Sequence, residues 1–259
     1  MTKGPETENL AEGTLLSHLL ELRTRLVRAV AAVAIVFIPC AYFANDIFER
    51  LSEPLKAKLP KGASLIATSV MSPFTAPFKT SFMVALFIAM PWVIWQIWGF
   101  VAPGLYRHEK RFAMPLLVSS ILLFYVGVGF AYFAVFPVMF EFFVATTPAG
   151  VQMMTDINQY LDFALTMFLA FGVAFEVPIA VVLLALTGLV SVEKLGSSRG
   201  YVVIGIFVVA AFLTPPDALS QTAMAVPMWL LYETGIIFAR MMVREQKKTR
   251  ALDEDATKS

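Results

Sequence analysis

The chain has 259 residues, 58% of them hydrophobic and only 15% charged, with a formal net charge of +1. An average soluble domain is about 45–50% apolar and about 25% charged, so this composition points to the membrane rather than to a soluble domain. The near-zero net charge gives no global field for nucleic acid. One cysteine, Cys40, and two histidines, His18 and His108, exclude a disulfide framework within the chain and argue against a dedicated metal site.

Residues 1–14 are polar and acidic, and no small-residue cleavage pattern follows the first apolar run, so that run is expected to be a retained span. The stretch 14–28 reads as an amphipathic helix. Leu15, Leu19, Leu22 and Leu26 form one stripe, and His18, Glu21, Arg25 and Arg28 form another. Glu21 and Arg25 stand four residues apart, which suits an ordinary helix ion pair worth about 0.3–0.5 kcal/mol. The same carboxylate, on a polar stripe beside a membrane, also suits an external cation.

A span needs about 20 apolar residues. Six segments qualify or come close: Leu26–Ala44, Thr80–Ala102, Phe112–Val138, Tyr160–Leu186, Tyr201–Leu213 and Ala223–Ala239. The last two are short. A 13-residue helix covers about 20 Å at 1.5 Å per residue, against a hydrocarbon core of about 30 Å. Such a mismatch thins the bilayer, tilts neighbours or favours oligomers. The segment 45–79 is expected to be a mixed loop, helical only in short pieces, because Pro54, Pro60, Pro73 and Pro77 interrupt it. The expected organisation is an N-terminal tail over 1–13, one membrane domain over 14–243 and a charged tail over 244–259.

Orientation follows the basic residues. Every lysine and arginine except Arg50, Lys56, Lys58, Lys61 and Lys79 falls in the N-terminal region up to Arg28, in the C-terminal region from Arg240, or in the loops after spans two and four. Both termini are therefore expected on the cytoplasmic side, and six spans satisfy that parity. Prolines recur within the spans at 39, 91, 115, 137, 178 and 227. Membrane helices tolerate proline, and prolines also kink helices into a curved bundle; both readings stay open.

Two further acids stand out. Glu109 is the only acid in a basic loop, Pro-Gly-Leu-Tyr-Arg-His-Glu-Lys-Arg over 103–111. Arg107 and Lys110 balance its charge, but it also suits a cationic ligand, for which arginine's planar fork is the natural partner. Glu176, in Ala-Phe-Glu-Val-Pro, lies deep in the fourth span. A charge at mid-membrane costs roughly 2.5–3.5 kcal/mol on insertion scales, so such acids face a bundle interior or a wet cavity. Gln221 and Glu233 are its candidate polar companions. Nothing resembles a nucleophile with its base, a zinc motif or a phosphate loop, so neither catalysis nor a cofactor is expected.

Several motifs in order resemble one family. His-Leu-Leu-Glu-Leu-Arg-Thr-Arg-Leu (18–26), Ala-Pro-Gly-Leu-Tyr-Arg-His-Glu-Lys-Arg (102–111), Phe-Glu-Val-Pro (175–178) and Leu-Thr-Pro-Pro-Asp (213–217) look like the signatures of TatC, the large subunit of the twin-arginine protein translocase. The resemblance runs over about 14–243. It implies an all-α integral membrane fold of six helices in a concave bundle, with cytoplasmic ends and two short final spans, in the bacterial inner membrane. It implies binding of folded precursors whose signal peptides carry Ser/Thr-Arg-Arg-x-Phe-Leu-Lys. Glu21 and Glu109 would hold the paired arginines, and Arg23, Leu26 and Phe100 would shape that surface. Glu176 would line an intramembrane groove with Gln221 and Tyr132, the last in Phe-Ala-Tyr-Phe. Pro54 and Asp217 would belong to a cap on the opposite side. Single-span TatA-like and TatB-like subunits would dock near spans five and six, with self-association in the receptor complex and the proton gradient as energy source. Membrane lipid surrounds such a chain and no nucleic acid is implied. From the residues alone, a proton-coupled small-molecule transporter using Glu176 is the alternative.

Overall fold

The structure, a computed structural model, describes residues 5–56, 64–101, 110–148, 154–213 and 218–258, with side chains described within 17–245. In chain order the elements are α1 (Pro5–Tyr42), α2 (Ala44–Lys56), β1 (Ser64–Ile66), α3 (Ser72–Val101), α4 (Lys110–Phe130), a π-helical turn (Ala131–Val135), α5 (Phe136–Ala145), β2 (Met154–Asp156), α6 (Ile157–Ala174), α7 (Val177–Leu186), α8 (Val192–Ser197), α9 (Arg199–Leu213) and α10 (Ala218–Lys258). Among the described residues, five helical segments are long and apolar enough to cross a membrane: Leu19–Tyr42, Ser72–Val101, Ala113–Ala145, Ile157–Leu186 and Gln221–Glu245. Helix α9 is a sixth apolar helix of only 15 residues, about 22 Å long.

Several expectations need correction. Within 45–79, the described residues form α2, the short strand β1 and the start of α3, so the helical pieces are longer than expected. Ala44, Ile47 and Phe48 recur at helical spacing on the shielded side of α2, and Phe48 packs against the core. The second span also begins at Ser72 rather than Thr80, because Pro73 stands in the first helical turn, where its missing N–H forfeits no helix bond. The third span runs on to Ala145 through Pro137. There the π-helical turn, closed by Phe136 N–H donating to Ala131 O, takes up the irregularity the proline imposes on the ladder. Finally, the sixth span is not short as a helix. Hydropathy marked its apolar middle, but α10 continues through Glu233 and Arg240, since charged side chains are good helix formers.

The helices are arranged by a few close contacts. Helix α1 lies antiparallel on α3, with Arg25 beside Gly99 and the rings of Phe37 and Phe82 5.8 Å apart. Glu21, Arg25, Ala29, Ala32, Val36 and Cys40 form its shielded stripe, spaced by threes and fours as one helix face requires. Helix α4 crosses α6 very closely. A Cβ on Gly127 would come 2.5 Å from Phe171 O, and one on Gly172 would come 2.6 Å from the Phe124 ring. Gly235 of α10 packs likewise on the backbone of Pro178.

One end of the bundle is stitched by polar groups. Strands β1 and β2 pair in parallel, Ser64 opposite Met154 and Ile66 opposite Asp156. Asp156 caps α6, accepting from the N–H groups of Asn158 at 2.9 Å and Gln159 at 3.2 Å. Its other oxygen accepts from the Thr68 hydroxyl and N–H. Asn158 Nδ2 donates to Ser72 Oγ at 2.7 Å, and Lys79 pairs with Asp162 at 2.8 Å. Helices α3 and α6 therefore start at the same end. Met224, near the start of α10, joins the core around Met167 and Phe171 of α6. Ile236 and Ala239, farther along, join the core around Leu186 and Leu195. Helix α10 thus runs alongside α6 and α7, and like α3 and α6 it runs away from the strand end, whereas α1 runs toward it.

Two outcomes are expected. Gly127→Val forces Cβ against a backbone carbonyl and costs about 1–3 kcal/mol; unfolding of the purified variant in detergent measures it. The Thr68 hydroxyl and N–H hold the Asp156 carboxyl down at about 2, below its ordinary 3.8. A lowered carboxyl stabilises fully above its unfolded value and loses that contribution as pH falls through 3.8 toward 2. Asp156→Asn is therefore expected to melt below the native chain at neutral pH, with the gap closing as pH falls into that window.

Candidate functional site

Glu21 sits on the shielded stripe of α1 near the strand-free end. Arg25, one turn on, donates from Nε at 2.9 Å and from Nη2 at 2.6 Å, both to Glu21 Oε1. The pair is partly wet, with the Glu21 side chain 36% exposed and that of Arg25 24%. The guanidinium lies against α3, with Arg25 Nη1 in the space a Gly99 Cβ would fill. Gly99 is thus a slot in α3 for an arginine side chain held by a carboxylate. The ordinary i,i+4 pairing that spacing suggests is therefore present, clamped against a second helix.

Phe100 adjoins this slot on α3 and is half-buried. Arg23 and Leu26 are exposed on α1, and Arg23, two residues from Glu21, points around the helix away from the stripe. Glu109 and Asp217 lie outside the described residues. Pro54 falls in the last part of α2. Sequence reasoning missed Gly99 and also Gln96, which is only 5% exposed and whose Oε1 has no hydrogen-bond partner among the described residues. The signal was available: one amide in an otherwise apolar run, three residues from the glycine and so on the same face.

Glu176 occupies a break in the fourth span. The backbone of α6 tightens at its end, with Phe175 N–H donating to Phe171 O and Glu176 N–H donating to Val173 O, each at 3.0 Å. Helix α7 then restarts with Pro178 in its first turn. The Ser120 hydroxyl of α4 donates to Glu176 Oε2, while Oε1 is buried without a partner among the described residues. A carboxylate oxygen so placed is an open acceptor in apolar surroundings, which costs free energy until a donor meets it.

The expected companions of Glu176 are not beside it. Glu233 instead grips Arg199, accepting from Nε and, at 2.8 Å, from Nη2. Gln221 lies on α10 well before Gly235, the residue that meets Pro178; the interval from 221 to 235 is about 21 Å of helix. Tyr132 stands in the π-helical turn, its ring 4.8 Å from Phe133 and 6.2 Å from Phe168. Phe168 precedes Glu176 by eight residues, about 12 Å along the span. The true neighbour, Ser120, is reached through the close α4–α6 crossing and has no sequence proximity to advertise it.

This arrangement has known counterparts. The family model described as Sec-independent protein translocase protein (TatC) matches residues 17–227. A Sec-independent protein translocase protein TatC of Azotobacter chroococcum is 59% identical over 247 residues, covering 95% of this chain and 96% of that one. Its counterpart in Escherichia coli (strain K12) is 52% identical over 229 residues, covering 88% and 89%. A solved structure described as the crystal structure of twin arginine translocase receptor TatC superposes with a TM-score of 0.77 at 38% identity, covering 86% of this chain and 98% of that one. On sequence and fold together, the chain belongs to the TatC family of Sec-independent protein translocase proteins.

Proposed function

We propose that this chain is the receptor subunit of a twin-arginine translocase, gripping the paired arginines of precursor signal peptides with Glu21 and Glu109. The observation that carries this reading is the Arg25 clamp: the Glu21 carboxylate binds a guanidinium through two nitrogens in a half-wet slot. An incoming arginine offers the same fork. It meets Glu21 already occupied, so binding is an exchange of one guanidinium for another rather than the filling of a vacancy. One such pair is weak, and two carboxylates spaced to match two arginines supply register. Arg23, Leu26 and Phe100 border the peptide.

The surrounding reading is of a piece. The membrane domain covers 14–243 and crosses the bacterial inner membrane six times as a concave bundle, α9 being the short fifth span. Both ends face the cytoplasm, a reading that the distribution of lysine and arginine supports. The apolar part of the signal peptide follows into a groove that Glu176 keeps polar, with Tyr132 and Gln221 at other levels. Pro54 and Asp217 serve the opposite-side cap. TatA-like and TatB-like subunits dock near α9 and α10, copies of the chain associate in the receptor complex, and the proton gradient drives transport. The chain acts as a transport subunit without catalysis of its own. Family membership leaves the small-molecule transporter reading without support.

Site-specific cross-linking of a twin-arginine peptide to the chain in membranes tests the grip. Glu21→Ala and Glu109→Ala are each expected to lower it about tenfold, the size of one lost charged hydrogen-bonded pair; undiminished cross-linking in both overturns the assignment. Glu176→Leu is expected to retain this cross-linking and to abolish export, measured by precursor recovery across the membrane. Full export by that variant removes Glu176 from the mechanism.

A further inference from the structure

Where α8, α9 and α10 meet, two guanidinium groups converge on one point. The position a Cβ would take on Gly196 lies 3.6 Å from Arg240 Nη2 and 3.9 Å from Arg199 Nη1, and these are the side-chain atoms that come within 4 Å of it. Arg199 commits Nε and Nη2 to Glu233, which leaves Nη1 as the nitrogen facing Gly196. Arg240 stands two turns along α10 from Glu233, close enough to act on the same carboxylate. Two guanidinium groups thus face the one Glu233 carboxylate, and on the adjoining α8 Glu193 and Lys194 are both exposed and offset one another. Like charges held this close at the end of a helix bundle call for a further anion.

The shape of the slot specifies the anion. Two guanidinium N–H groups from different helices, meeting at a residue without a side chain, match the oxygens of a phosphate. The slot also lies where α9 begins, at the polar margin of an apolar helix. An apolar groove between α9 and α10 runs on from the same helix faces as the arginines, lined by Val203 and Phe207 on α9 and by Val226 and Trp229 on α10, and Phe207, Val226 and Trp229 are exposed. A free phosphate ion has no use for that apolar surface, whereas the chains of a lipid do. We propose that Arg199, Arg240 and Gly196 bind the phosphate of an anionic membrane phospholipid. Its acyl chains lie along the exposed faces of α9 and α10. The site is separate from the Glu21 grip and does not depend on the receptor reading.

The test is lipid retention by the full chain, extracted from vesicles of phosphatidylglycerol and phosphatidylcholine and followed by native mass spectrometry. The native chain is expected to keep phosphatidylglycerol preferentially. Arg240→Gln and Gly196→Leu are each expected to lower that retention about tenfold, while Arg50→Gln, at the other end of the bundle, leaves it unchanged. Gly196→Leu fills the slot with both charges intact, so its effect separates a built site from general positive charge. Circular dichroism confirms that each variant keeps its helix content. Retention equal in the native chain and both slot variants overturns the proposal. So does loss of the bound lipid to millimolar inorganic phosphate, which assigns the slot to the free ion.

Discussion

In a bilayer the backbone finds no water, so each N–H and C=O must be paired within the protein. This chain obeys that constraint while placing prolines in most of its apolar segments, and much of its architecture is the set of solutions. Pro73 is absorbed into a first turn. Pro137 sits beyond a π-helical turn. Pro178 opens α7 after the fourth span has broken. At that break stands Glu176, its backbone still helical, with its side chain meeting Ser120 of α4.

That meeting needs the helices to approach closely, and glycine supplies the approach. Gly127 and Gly172 let α4 and α6 cross with a ring against backbone, the small-residue contact that membrane helices use where no hydrophobic force draws them together. Gly99 does something different: it admits a charged side chain rather than a helix. Gly235 brings α10 onto the start of α7. These positions hold the two halves of the core together, one around Phe171 and Met167, the other around Phe124 and Ile236.

The gross plan was legible because hydropathy is a direct consequence of the solvent. The apolar runs from 26 to 239 appear as helices in order, and the short α9 was recognised from its length. What the sequence hid was where a helix outruns its apolar middle, as α10 does, and where proline fits a helix instead of ending it. The Glu21–Arg25 pair was readable because its partners are four residues apart. The Ser120–Glu176 bond, the Arg199–Glu233 bond and the Arg25–Gly99 slot join distant segments, and single-sequence periodicity carries no term for such contacts. Gln221 is not beside Glu176 for the same reason: both are polar residues in apolar helices, yet they stand at different levels along the bundle.

Helix α1 differs from the others in one respect. Only 11% of its apolar stretch is buried, against 50% for the fourth span, and it leans chiefly on α3. Cooperative units that bury little surface open at low free energy. If the segment carrying Glu21 moved away from α3, it would uncover the smallest buried share among the five long segments. Arg25 leaves with it, since both charges ride on the same helix. Such a departure would withdraw the guanidinium from Gly99 while keeping the ion pair intact, so the slot and the carboxylate are separable parts of one latch.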